Sequence, residues 1–321
     1  MEKTHIERSH IKYTRIVLPG GAGLVGQNLV AQLKRQGYSN IIVIDKHRSN
    51  LEILRKMHPD IVAEYADLAD HGDWEKQLVG AEVVVMLQAQ IGGNEFTPFQ
   101  RNNIDSTKHV LDAMKTNNVP YLVHISSSVV ESVANDWYTD TKKEQERMAV
   151  ESGIPNVVLR PTLMFGWFDR KHLGWLSRFM QKVPVFPIPG HGRYMRQPLY
   201  AGDFSNIIVS CIEKKITGVF NISGREQVDY IDIIREIKRA IGSRTLIIHI
   251  RYWLFYMLQS IWAIFDRDPP FTTQQLSALV AHDEFEVIDW PGIFGVVPTT
   301  FAKAIDETYN DPTYSKVVLD F

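Results

Sequence analysis

The sequence predicts an α/β protein built on a doubly wound parallel sheet, with a smaller C-terminal lobe. Three observations predict it. Short, near-continuous apolar runs such as Ile41-Ile42-Val43-Ile44 and Val83-Val84-Val85-Met86 alternate with amphipathic stretches over residues 15–125. Runs of that kind suit strands covered on both faces, as in a parallel sheet. The first run leads into a glycine-rich turn that opens a helix. The chain has 321 residues, enough for two domains or for one large α/β domain with an appended lobe.

The elements follow in order. Arg15–Leu18 reads as a strand and Gly23–Gln36 as a helix; Asn40–Ile44 is a second strand, and Leu51–Met57 is helical. Ile61–Tyr65 and Glu82–Leu87 are strands three and four, separated by a helical segment near Asp73–Leu78. Phe99–Thr116 is a longer helix, Tyr121–Ile125 strand five, Tyr138–Ser152 a helix and Val157–Leu159 strand six. Strand–helix alternation at this spacing favours right-handed crossovers. Residues 166–200 carry several prolines and glycines (VPVFPIPGHG) and suit an irregular lobe over a cleft. Val219–Ile222 and Tyr230–Ile241 add a strand and a helix, and the chain beyond Ser243 is less regular. The expected organisation is a sheet domain over 12–165, with 203–222 returning to the sheet. A lobe covers 166–202 and 223–312, and 1–11 and 313–321 are flexible tails.

Composition excludes several classes. Net charge is −2, so no basic surface calls for nucleic acid. The one cysteine, Cys211, cannot form an internal disulfide and reads as a buried inert thiol; no Cys/His cluster has metal-site spacing. The polar N-terminus lacks the apolar stretch of a secretory signal, and no apolar run is long enough to cross a bilayer. A cytoplasmic protein is expected. Residues 252–265, YWLFYMLQSIWAIF, are the reservation. They read as a buried helix, a wall of the lobe, or a helix lying at a membrane interface.

The turn Gly20-Gly21-Ala22-Gly23-Leu24-Val25-Gly26 has the G-x-x-G-x-x-G spacing. Its glycines permit a tight turn and close backbone approach to a pyrophosphate, whose charge the helix N-terminus favours. Asp45, 19 residues after Gly26 at the end of strand two, can accept hydrogen bonds from ribose hydroxyls and would repel a 2′-phosphate. The pair points to a bound dinucleotide in a Rossmann-type sheet, NAD rather than NADP, although Lys46 and Arg48 follow and could meet a phosphate. Asp67 either accepts from an adenine amino group or caps a helix.

Tyr138 and Lys142 stand at i and i+4, on one helix face. A nearby ammonium favours the phenolate of a tyrosine, which can then take a proton from a substrate hydroxyl. Ser126-Ser127-Ser128 follow strand five, at the carboxyl end of a strand, where open α/β sheets place ligands.

Taken together these residues resemble the extended short-chain dehydrogenase/reductase family, its NAD-dependent epimerase/dehydratase group. The resemblance covers roughly residues 14–240. Its matching stretches are Pro19–Gly26, Asp45, Asp67, Asn103–Thr107, the serine cluster, Tyr138/Lys142, Leu159-Arg160-Pro161-Thr162 with Phe165-Gly166, and Arg196–Asp203. The resemblance implies that Tyr138 is the general acid/base and Lys142 its modifier and a ribose ligand. Ser128, with Ser127 second, matches the catalytic serine. It further implies a cofactor site of Gly20, Gly23, Leu24, Val25, Gly26, Asp45, Asp67, Leu68, Leu87, Gln88, Ala89, Asn103, Ser126, Tyr138, Lys142 and Pro161. Arg196, seven residues before Asp203, matches an arginine that contacts a nucleotide diphosphate in epimerases of this type; a surface or helix-pairing role is the alternative.

Three departures stand out: Gln88 for the usual histidine-leucine-alanine-alanine pattern, Ser106 for a glycine, and Pro19 for a threonine. No Asp-Glu pair follows the serines, which argues against dehydration. The expected function is therefore epimerisation of a nucleotide-activated sugar through a transient keto-sugar. The alternatives are net oxidation of a hydroxysteroid-like or lipid-linked alcohol and a non-catalytic nucleotide-binding scaffold. Residues through Pro270-Phe271-Thr272 resemble the C-terminal parts of the complex I accessory-subunit and 3β-hydroxysteroid dehydrogenase branches. A homodimer pairing through 99–116 and 138–152 is implied by the resemblance as well.

Overall fold

The computed structural model describes residues 13–132, 136–265 and 286–320. The expected flexible tail over residues 1–11 lies outside these, as does the Pro270 region.

Seven parallel strands form the central sheet: β1 Ile16–Pro19, β2 Ile41–Asp45, β3 Val62–Tyr65, β4 Val83–Met86, β5 Leu122–Ile125, β6 Asn156–Pro161 and β7 Gly218–Ile222. Their order is β7-β6-β5-β4-β1-β2-β3. The chain winds outward from β1 in both directions, so the order reverses between β1 and β4, where Ile16 pairs with Val83. A crevice opens at such a switch point, beyond the carboxyl ends of the strands.

Alternation along the strands explains the two cores. Ile16, Leu18, Val43, Val83, Val85, Val123 and Ile125 point to one face. They pack there against Leu29, Val30 and Leu33 of α1 (Leu24–Arg35) and against Phe204, Ile207 and Ile208 of a later helix. Val17, Ile42, Ile44, Val84, Met86 and Leu122 point to the other face, against Val110, Leu111, Met114 and Ala149. Successive side chains of a strand face opposite ways, so an apolar run without alternation needs cover on both sides.

The remaining helices are α2 Arg48–Met57, α3 Ser106–Thr116, α4 Trp137–Val150, α5 Leu173–Lys182, α6 Ala201–Lys214, α7 Tyr230–Ala240, α8 Tyr252–Phe265, α9 Trp290–Phe294 and α10 Phe301–Asn310. A short turn of helix, Phe96–Phe99, and a π-helical stretch, Gln100–Asp105, lead into α3. Asp73–Leu78 forms a 3₁₀ helix.

The lobe has more order than its prolines suggest. Val185–Pro189 pairs in parallel with Leu246–Ile250, in a two-stranded sheet. Proline is tolerated there because an edge strand leaves one row of N–H positions unused. A separate core gathers Phe165, Phe186, Ile188, Tyr194, Ile234, Ile237, Phe301 and Ile305.

The expectation of a flexible tail over 313–321 is corrected for the residues described. Tyr314 is buried, its ring 4.7 Å from that of Trp167, and Leu319 is buried in the same cluster. The Asn50 side chain donates to Asp320 O and accepts from Asp320 N–H, both at 2.8 Å. Two buried apolar side chains and a doubly bonded amide hold this segment against α2. Buried Cys211 has its thiol pKa pushed up to about 12 by burial.

Candidate active site

Four segments converge at the carboxyl edge of the sheet: the turn after β1, residues 87–89 after β4, the serines after β5, and Pro161-Thr162 at the end of β6.

The turn is closed by direct backbone packing. Gly20 has a positive φ of 75°, and a Cβ there would lie 2.3 Å from Gln88 N. A Cβ on Gly26 would lie 2.2 Å from Gly21 O. Gly23 is the N-cap of α1 and supplies no side-chain cap. The first N–H groups of a helix have no intrahelical acceptor, so those of Leu24 and Val25 face the turn unpaired. An uncapped helix start with backbone brought close by glycine is a cradle for a pyrophosphate. Asp45 is buried and pins this cradle, accepting from Ala22 N–H and His47 N–H at 3.0 Å each.

The neighbouring cations are engaged elsewhere. Lys46 donates to Asn102 Oδ1 at 2.5 Å, and the Arg48 guanidinium lies 3.5 Å from the ring centre of Tyr65. Both are drawn away from a phosphate-binding role beside Asp45, which suits NAD.

Asp67 accepts from Ala69 N–H at 3.0 Å and from Arg101 at 3.2 Å. Burial opposes its charge, yet the Ala69 hydrogen bond and the Lys46 and Arg101 cations hold its carboxyl below the usual range. Leu68 places its side chain in the core. Leu87 N–H donates to Pro19 O at 2.9 Å, tying this strand end to the glycine turn, while Ala89 is exposed. Both amide atoms of the Gln88 side chain are buried without a hydrogen-bond partner, and so is Thr162 Oγ1 beside Pro161. Unpaired buried amides are costly, so these groups fit a polar ligand in the crevice. The cradle and the orphaned polar atoms together fit a dinucleotide.

Asn103 is committed to the protein. Its Oδ1 accepts from Gln90 N–H at 2.6 Å, and its Nδ2 donates to Gln90 O at 3.2 Å and to Thr141 Oγ1 at 2.9 Å. It lies in the π-helical stretch and joins the loop after β4 to α4.

Helix α4 starts at Asp136, whose carboxylate accepts from Thr139 N–H at 2.9 Å and from Thr139 Oγ1 at 3.0 Å. This cap fixes the first turn, which carries Tyr138. Burial raises the Tyr138 pKa, a hydrogen bond with the Ser127 side chain works the other way, and Asp136 adds to the rise. Ser127 Oγ accepts from Val129 N–H at 3.4 Å and so caps the 3₁₀ turn Ser128–Glu131.

Lys142 is wholly buried and donates to Ile125 O at 3.0 Å and Gln145 Oε1 at 2.6 Å. Burial lowers its pKa to about 7, against the opposing attraction of Glu146. Gln145 in turn donates to Thr107 Oγ1 at 2.8 Å and Gln88 O at 3.2 Å. His124 of β5 is fully buried, and burial and the Lys142 charge push its pKa well down, so it is neutral.

One network escaped the reading of the sequence. Glu146 accepts from Ser126 Oγ at 2.5 Å and from Arg160, whose Nε lies 3.1 Å from Oε2. Arg160 Nη1 also donates to Glu131 Oε1 at 2.8 Å, and Asn221 Nδ2 reaches the same oxygen at 3.0 Å. Ser126 is therefore held by Glu146. The available signal was Glu146 four residues after Lys142, one turn along the helix face. Nothing in the sequence pairs Glu146 with Arg160.

Arg196 lies in the lobe, in a two-residue strand, Met195–Arg196, paired with Val228–Asp229, and donates to Met195 O at 2.8 Å. Asp203 accepts from Thr299 N–H at 2.9 Å and Thr299 Oγ1 at 2.7 Å, and burial raises its pKa. It lines a cavity of about 300 Å³ with Tyr200, Arg225 and Trp290, which none of the expected catalytic residues borders. Among the described residues no group of three or more His, Cys, Asp or Glu side chains is placed to hold a metal.

The fold and this cradle define a dinucleotide-binding α/β protein. Residues 16–223 match the model of the NAD dependent epimerase/dehydratase family. The chain belongs to that family and is an NAD-dependent enzyme of the extended short-chain dehydrogenase/reductase type, with NAD as its cofactor. It is 22% identical over 305 residues to UDP-glucose 4-epimerase of Vibrio cholerae, covering 86% of this chain and 90% of that protein. It is 23% identical to mouse (Mus musculus) sterol-4-alpha-carboxylate 3-dehydrogenase, decarboxylating, over 79% of this chain and 76% of that protein. Among solved structures, UDP-glucuronic acid 4-epimerase from Bacillus cereus in complex with NAD superposes with a TM-score of 0.71 at 21% identity. That match covers 92% of this chain and 98% of that one.

Proposed function

We propose that the protein epimerises a nucleotide-activated sugar. The observation that carries this reading is Tyr138 one turn from wholly buried Lys142 on α4, with the Lys142 amine donating to Ile125 O at the end of β5, directly before the serines. Tyr138 takes the proton of a sugar hydroxyl and later returns it. Ser127 shares a hydrogen bond with the reacting oxygen, and Ser128 follows at the mouth of the site. In its charged form Lys142 offsets the burial that raises the Tyr138 pKa, and it holds a ribose. When bound, NAD would supply the hydride-transfer chemistry at the carbon bearing that hydroxyl. Gly20, Gly23 to Gly26, Asp45, Gln88 and Pro161 bind and orient that cofactor. Arg196 meets the diphosphate of the substrate, as its guanidinium suits, in a lobe formed by residues 166–202 and 223–312. The similarity to UDP-glucose 4-epimerase supports the substrate class.

We also propose a cytoplasmic homodimer that pairs through the helices at 99–116 and 138–152, and a peripheral contact with membrane through 252–265.

A second reading, net oxidation of a lipid-like alcohol, is favoured by the similarity to a sterol dehydrogenase and by exposed aromatic residues on α8. The two are separated by incubating the NAD-loaded protein with a panel of nucleotide sugars and following products by NMR and NADH by absorbance. Epimerisation gives a new sugar with no steady-state NADH; an alcohol dehydrogenase accumulates NADH. Tyr138→Phe is expected to lose at least 100-fold in turnover with NAD binding intact. Unchanged turnover would reject the assignment of Tyr138.

A further inference from the structure

The first turns of α8, residues 252–257, turn aromatic and apolar side chains to water. Tyr252, Trp253, Tyr256 and Met257 are 36%, 59%, 45% and 42% exposed, while Leu254 and Phe255 are half-buried. Positions i, i+1, i+4 and i+5 fall on one side of a helix. A surface helix ordinarily turns charged and polar groups outward. Here the outward stripe is aromatic and apolar, and the Tyr252 and Tyr256 rings lie 6.4 Å apart along it.

A cationic collar surrounds the start of this stripe. Arg251 immediately precedes the helix and is exposed. Gly190 N–H donates to Ile250 O at 2.7 Å, and the His249 ring lies 3.1 Å from Gly190 O. These contacts bring the loop carrying exposed His191 and Arg193 to the same end. Neither Arg193 nor Arg251 has an acidic partner among the described residues. Of the nearby acids, Asp232 is held by Arg235 at 2.8 Å, and Asp229 lies opposite Met195 in the short strand pair.

We propose that this face docks the protein on an anionic lipid bilayer, with Trp253, Tyr256 and Met257 entering the interface and Arg193 and Arg251 on the headgroups. Tryptophan and tyrosine favour the headgroup level, and basic residues beside an apolar helix face add attraction to acidic lipids. The helix lies on the surface. Fourteen residues span about 21 Å, short of the ~30 Å hydrocarbon core, and none of the described helices is long and apolar enough to cross. The inference stands independently of the substrate, since it rests on α8 and its collar alone.

The test uses the full chain and sedimentation with sucrose-loaded vesicles, either pure phosphatidylcholine or with a third of the lipid as phosphatidylglycerol. Binding is expected on the anionic vesicles, falling at least tenfold in high salt. Trp253→Ser with Tyr256→Ser, and separately Arg193→Glu with Arg251→Glu, should each lower it about tenfold or more. Melting temperature and NAD affinity, measured on the same variants, should stay at wild-type values. The proposal is overturned by no binding, by equal binding to both vesicle types, or by variants that bind as wild type. It is equally overturned if the aromatic variant abolishes self-association in light scattering while the wild type ignores lipid, because a second copy would then be the occupant.

Discussion

Replacing Gly26 by alanine tests the packing of the cofactor cradle directly. The new Cβ would sit 2.2 Å from Gly21 O and 2.5 Å from both Gly21 C and Cα, where ordinary contact begins at 3.4 Å. The helix start must therefore move about 1.2 Å away from the turn. The obstacle is backbone, so no side chain can swing aside to relieve it. Alanine in a helix gains about 1 kcal/mol over glycine. Overpacking of a rigid site costs ~1–3 kcal/mol and sometimes more. The clash here is at the severe end, so a net loss of about 1–2 kcal/mol is expected. The larger effect falls on the ligand. A shift of this size misaligns the N–H groups of the first turn, and each hydrogen bond to a charged phosphate contributes ~1.5–3 kcal/mol. NAD affinity should fall by about 10- to 100-fold for the first such bond lost. Isothermal titration with NADH, beside chemical denaturation of the free protein, measures both. A G26A protein that binds NADH as tightly as the wild type and denatures no earlier would refute the reasoning, since the cradle would then not depend on this contact.

Three further outcomes follow from the site. Asp45→Ala leaves the buried N–H of Ala22 without its acceptor, costing about 1–3 kcal/mol in denaturant titrations, and weakens NAD at least tenfold. Glu146→Ala strands Arg160 and Ser126; ~2–4 kcal/mol of stability should be lost, toward the low side for a broken buried pair because Glu131 still meets Arg160. An E146A stability equal to wild type would show that the network holds nothing. Lys142, lowered from 10.5 to about 7, binds fewer protons folded than unfolded across that interval. Its contribution is therefore present at high pH and lost as pH falls towards 7, and the free protein should grow more stable from pH 7 to 9.5 by this term. Lys142→Met should flatten that slope in urea titrations at stepped pH, and an unaltered slope would contradict the burial argument.

Much of this protein is legible in the chain by itself. The uninterrupted apolar runs required cover on both faces, and α1 and α6 cover one while α3 and α4 cover the other. The glycine spacing with Asp45 located the cradle, because only backbone without Cβ can approach so closely. Tyr138 and Lys142 share a helix face by spacing alone. What the chain could not reveal are contacts between residues distant in sequence. Asn103, for one, meets Gln90 and Thr141, 13 residues before it and 38 after it. Ser126 turns to Glu146 and Ser127 caps the turn Ser128–Glu131, roles that their order in the cluster does not show. The 313–320 segment, read as a loose end, is anchored by Asn50 and Trp167, some 270 and 150 residues earlier. Local pattern determined the strands, the turn and the helix faces, since periodicity and steric freedom are properties of neighbours. Tertiary structure decided the Glu146–Arg160 clamp, the burial that depresses Lys142 and the outward aromatic face of α8, because charge state and exposure depend on what distant segments bring to a site.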